Sequence, residues 1–117
     1  MWRSFGTALT NKDAIVWIQL VTAGLLEVVW AYTLKKSHGF SRLGYSVVTV
    51  IAMIGSFWLL ARAMQVLPLG TAYVVWTGIG SVGAFVLGLA LLGETASPAR
   101  IAAAVMIVCG IILMKVG

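Results

Sequence analysis

From Ala14 to Leu34 the chain is apolar almost without interruption, and that length alone points to a helix crossing a membrane. About 20 residues at ~1.5 Å each cover the ~30 Å of bilayer hydrocarbon, where a helix satisfies its own backbone groups. Three more such runs follow, so the spans are expected at about 14–34, 43–65, 71–92 and 99–116. This predicts an all-α membrane protein, with residues 14–117 forming a single four-helix transmembrane domain behind an interfacial lead-in at 1–13. The basic start and the apolar stretch at 15–26 loosely resemble a signal peptide, but the run continues past Glu27 to full spanning length.

Composition agrees and excludes other classes. Of 117 residues, 62% are hydrophobic and 9% charged, with a mean hydropathy of +1.07. A soluble chain is roughly half apolar and a quarter charged. A net charge of +5 would suggest nucleic acid in a soluble protein. Here the basic residues sit at the ends of the runs, where their stems follow lipid and their heads reach the headgroups, so no nucleic-acid partner is expected. His38 is the one histidine and falls in a loop, and Cys109 is the one cysteine and lies inside the last run. A catalytic triad, an intrachain disulfide and a metal-ligand spacing all lack parts, so neither enzyme chemistry nor a cofactor or metal is expected.

Glu27 is the exception inside the first span. An acid near the bilayer midplane costs at least ~2.5–3.5 kcal/mol, which makes it a candidate functional residue by default. No Lys or Arg lies in the run to neutralise it, and Trp30 follows three residues later on the same face. An acid beside an indole suits an organic cation. The alternative is a protonated Glu27 bonding between helices as packing glue.

The remaining signals follow in chain order. Asn11 or Asp13 can cap the first helix, and Gly39, within Lys35–Arg42, offers a left-handed turn. Ser56 lies deep in the second span, as a functional hydroxyl or as one bonded to its own helix carbonyl, while Arg62 can snorkel outward. Pro68 and Gly70 mark a tight break before the third span. Along that span Tyr73, Trp76, Gly80, Gly83 and Leu87 share a face, and Gly78 and Gly80 mark either a helix bend or close packing. Glu94 reads as solvated, Ser97 as an N-cap and Pro98 as the first helical residue. Ala103 and Gly110, seven apart on the fourth span, suit a close contact with a second copy.

A chain this short encloses no path by itself, so a dimer is the expected minimum. Four spans put Arg3, Lys12, Arg62 and Lys115 on one side and Lys35, Lys36, Arg42 and Arg100 on the other. With no positive-inside bias, copies are expected to insert both ways round. Two opposed copies would then pair about an axis in the membrane plane, bringing both Glu27 side chains to one central pocket.

The runs Gly24-Leu25-Leu26-Glu27-Val28-Val29-Trp30-Ala31, Ser37-His38-Gly39-Phe40-Ser41-Arg42 and Pro68-Leu69-Gly70-Thr71-Ala72-Tyr73-Val74-Val75-Trp76-Thr77-Gly78-Ile79-Gly80 resemble the small multidrug resistance family. Trp30 and the Trp76–Gly80 run resemble its guanidinium exporter subtype. The resemblance covers about Ile15 to Gly117, and the lead-in is longer than the family usually shows. It implies an antiparallel, dual-topology homodimer in the bacterial inner membrane that exchanges protons for small guanidinium-type cations. Position by position, it implies Glu27 as the proton and substrate carboxylate, Trp30 and Trp76 as walls and hydrogen-bond donors, Ser56 in contact with Glu27, and Tyr73 completing the network. Ala103 departs from the glycine often found at that point of the family's fourth-helix packing motif. A polyspecific quaternary ammonium or biguanide exporter of the same fold, one subunit of a heteromeric pair, and a structural or regulatory subunit remain open alternatives.

Overall fold

The structure, a computed structural model, describes residues 11–117; residues 1–10 of the expected lead-in lie outside the described residues. The first apolar run forms α1 (Asn11–Lys36), with Asp13 in its first turn and Lys35 and Lys36 in its last, where the helix dipole favours each charge. The described helix already includes Asn11 and Asp13, and the residues ahead of them lie outside the described residues.

A tight turn built on Ser37 closes α1. Its buried hydroxyl donates to the Leu34 carbonyl at 2.7 Å and accepts from the Phe40 N–H at 3.0 Å. The Ser37 carbonyl accepts from the N–H groups of Ser41 and Arg42 at 2.9 and 3.0 Å. Gly39 takes the left-handed conformation the sequence suggests, at φ +70°, and His38 and Phe40 beside it do so as well, at φ 49° and 67°. Such backbone costs a residue with a side chain about 1 kcal/mol or more, and the Ser37 hydrogen bonds hold it in place.

The second run forms α2 (Leu43–Met64). The third forms α3 (Leu69–Leu91), two residues ahead of the expected start because Pro68, at φ −58°, stands at the N-cap position. Ser97 caps α4 (Pro98–Val116), its hydroxyl accepting from the Arg100 N–H at 3.2 Å, with Pro98 at the head of the helix as the sequence indicates. Among the described residues, four helices are long and apolar enough to cross a membrane. The chain is a multi-pass membrane protein.

Because lipid tails are as apolar as leucine, close packing and hydrogen bonds hold these helices together. The central element is α1, which packs chiefly on α2 and α3, while α4 lies mainly along α3. Val16, Trp17, Leu20 and Ala23 of α1 meet Leu60 and Ala63 of α2 and Ala72, Val75 and Trp76 of α3 in one cluster. Further along the α1–α2 seam the buried hydroxyls of Thr33 and Thr49 bond each other at 2.7 Å. No residue of α4 is buried.

Candidate functional site

Helical spacing puts Ala23 and Glu27 one turn apart on α1, and Trp76 and Gly80 one turn apart on α3. The two helices face each other at both levels. At the first, the fully buried Ser56 hydroxyl of α2 donates to the Ala23 carbonyl at 2.7 Å and accepts from Trp76 Nε1–H at 2.9 Å. One hydroxyl therefore ties three helices together. Ser56→Ala removes the acceptor and strands a buried indole N–H, so stability is expected to fall by about 1–2 kcal/mol. A lower unfolding midpoint in detergent would show this; an unchanged midpoint would mean that the bond contributes nothing.

At the second level Glu27 lies against Gly80. A Cβ on residue 80 would overlap the Glu27 carboxyl group, so the missing side chain is what lets the acid lie between α1 and α3. Among the described residues, Glu27 Oε1 and Trp30 Nε1 are buried polar atoms without a hydrogen-bond partner. Leaving such a group unpaired costs about 1–3 kcal/mol, more when it is charged, and a fold keeps such groups where something else binds them.

Aromatic rings of α1, α2 and α3 pack together nearby. Phe57 of α2 stands between the two indoles, its ring edge-on to Trp30 at 6.2 Å and 69° and to Trp76 at 5.7 Å and 60°. Tyr73 leans on Trp76 at 5.5 Å, with half its surface exposed. An unpaired carboxyl oxygen, an unpaired indole N–H and nearby aromatic rings are groups whose chemistry suits a proton or a flat organic cation better than an anion.

The structure thus gathers Glu27, Trp30, Ser56 and Trp76 around Phe57 and Gly80, with Tyr73 at the rim. The Ser56 hydroxyl bonds Ala23 and Trp76, reaching a carbonyl of another helix in place of its own. Gly78 faces Ile111 of α4, where a Cβ would stand 2.7 Å from Ile111 Cδ1. In this structure α3 is one helix through Gly78 and Gly80, and both glycines stand at close approaches. Ala103 and Gly110 are exposed on α4, away from the site, with open space beside Gly110. Sequence reasoning did not find Phe57 or the Ala23 carbonyl. Phe57 falls next to Ser56, but a phenylalanine in an apolar helix carries no signal of its own.

Fold and site define a small four-helix integral membrane protein with a half-buried acid, Glu27, lying between α1 and α3 near a cluster of aromatic rings. Residues 15–115 match the family described as Small Multidrug Resistance protein, and the chain belongs to that family. It is 65% identical over 99 residues to the guanidinium exporter of Escherichia coli (strain K12), covering 85% of this chain and 94% of that one. To the guanidinium exporter of Yersinia pseudotuberculosis serotype I (strain IP32953) it is 60% identical over 101 residues, or 86% and 97% of the two chains. To that of Salmonella typhimurium (strain LT2) it is 60% identical over 99 residues, or 85% and 94%. These relatives are named as exporters and not as enzymes.

Proposed function

We propose that the protein exports guanidinium or small substituted guanidinium cations from the bacterial cytoplasm, across the inner membrane, in exchange for protons. The observation that carries this reading is the pair of buried, unpartnered groups Glu27 Oε1 and Trp30 Nε1 in a chain 60–65% identical to guanidinium exporters. The working unit is an antiparallel homodimer, since one chain offers one carboxyl group and α4 has no buried residue to show for its position. Ala103 and Gly110 lie on the face of α4 that contacts the second copy.

Within the dimer the two Glu27 carboxyl groups share one pocket. A guanidinium ion donates paired N–H bonds to a carboxylate and stacks its face on Trp30 or Trp76, a contact worth ~0.5–2 kcal/mol when desolvated. Phe57 keeps the two indoles apart, and Tyr73 stands where a rearrangement of the pocket would move it. Gly78 and Gly80 make a bend in α3 inexpensive as the dimer rocks. Protons and cargo compete for the same carboxylates. Either one neutralises them, so only a loaded dimer turns over, and an inward proton gradient drives the cation out.

The test is a comparison of transport currents from the purified chain alone in proteoliposomes. Guanidinium is expected to give the larger current, with tetraalkylammonium well below it. A dominant tetraalkylammonium or biguanide current would reassign the protein to polyspecific drug export, and silence of the single chain would call for a second subunit.

A further inference from the structure

A cavity of about 300 Å³ lies at the Lys35 end of the bundle, walled by Tyr32, Lys35, Ser81, Phe85, Gly88 and Glu94. It continues the seam that holds Glu27. On α1 Glu27, Ala31 and Lys35 follow at four-residue steps on one face, and on α3 Gly80, Ala84 and Gly88 do the same. Ala31 and Ala84 line the cavity as well. Its outer end is therefore ~12 Å along the helix axis from Glu27, eight residues at ~1.5 Å each.

Three features seat Glu94 there. Gly93, at φ +68°, turns the chain back on itself after α3. The Glu94 N–H donates to the Gly88 carbonyl at 3.0 Å. Gly88 has no side chain, and a Cβ there would overlap Glu94 Oε1. Glu94 is exposed, as the sequence suggested, and its carboxylate lies against the last turn of α3. A helix C-terminus carries about half a negative charge, so this is where a carboxylate is least favoured and where carboxylate and helix end together attract a cation. Lys35 reaches the same cavity, yet among the described residues it forms no ion pair with Glu94.

The surroundings select the kind of cation. Lys35, Lys36, Arg42 and Arg100 share this end of the molecule, and Glu94 is its one acid. At physiological salt the screening length is ~8 Å, so Lys36, Arg42 and Arg100, which do not line the cavity, act weakly on an ion inside it, whereas Lys35 lines it and competes with the cation that the carboxylate attracts. Tyr32 and Phe85 line the cavity, and aromatic lining favours a flat delocalised cation over a small hydrated one.

We propose that Glu94, seated on Gly88 by the Gly93 turn, forms a second cation site that concentrates guanidinium-class cations at the mouth of the α1–α3 seam. The choice of cation rests on the export reading; the site itself does not. The test uses the full chain carrying Glu27→Gln, which removes the central carboxylate, titrated with guanidinium chloride and, separately, with sodium chloride. Backbone amide resonances of Gly88, Gly93 and Glu94 are expected to shift saturably with guanidinium and not with sodium. Adding Glu94→Gln should weaken that binding about tenfold or more, and adding Lys35→Gln should tighten it about threefold by removing a competing cation. Shifts that never saturate, or that saturate equally well after Glu94→Gln, overturn the proposal. The export reading stands or falls separately, on the wild-type transport current.

Discussion

Replacing Glu27 with glutamine is expected to abolish guanidinium-driven proton movement while leaving the fold intact. The two side chains have nearly the same shape, so the packing against Gly80 is undisturbed. Two things are lost at once. An amide does not take up and release a proton in the working range, so coupling has no carrier. It also forfeits the charge-assisted bonds that a carboxylate makes to a guanidinium fork, at about 1.5–3 kcal/mol each. Losing two of these is about 3–6 kcal/mol, or roughly 10²–10⁴ in affinity. Stability should hold or rise, because a half-buried acid with a buried, unpartnered oxygen is exchanged for a neutral group. A pH-sensitive dye trapped in proteoliposomes, read as a guanidinium gradient is imposed, would measure the coupling. A normal signal from the variant would remove Glu27 from the mechanism.

The sequence made the four spans and their breaks visible because the physics behind them is local. An apolar run of spanning length has few alternatives in a bilayer, and Gly39, Pro68 and the Ser97-Pro98 pair act through their own backbone preferences. Glu27 and Trp30 were legible for a similar reason: a midspan acid is costly wherever it occurs, and a step of three residues fixes which face it shares. The contacts between helices were not legible. Ser56 announced itself as a deep hydroxyl, but that its proton goes to the Ala23 carbonyl depends on how α1 and α2 cross. The left-handed His38 and Phe40 are held by bonds to Ser37 that no propensity encodes. Glu94 looked like any interfacial acid until the Gly93 turn and the bare face at Gly88 placed it against α3.

Gly78 and Gly80 show the same limit most sharply, since the sequence offered bend or close packing for both and the fold gives each a different neighbour. Gly78 faces Ile111 of α4, whereas Gly80 faces the Glu27 carboxyl group. Gly80→Ala is therefore expected to separate stability from function. Within a helix, alanine is worth ~1 kcal/mol over glycine, which favours the folded state. The added methyl group collides with the end of a flexible side chain, so Glu27 swings aside and the helices stay where they are. A displacement of about 1 Å at a binding centre can cost 10²-fold, so coupled transport should fall at least about tenfold while the unfolding midpoint holds or rises. Gly44→Ala, which adds a methyl group where nothing lies within 4 Å, is the matched control and should leave transport unchanged. If Gly80→Ala instead lowered the midpoint and the rate together, the glycine would be serving helix packing. If it changed neither, Glu27 would not need the place that Gly80 leaves open, and the geometry drawn here for the proton and cation site would be wrong.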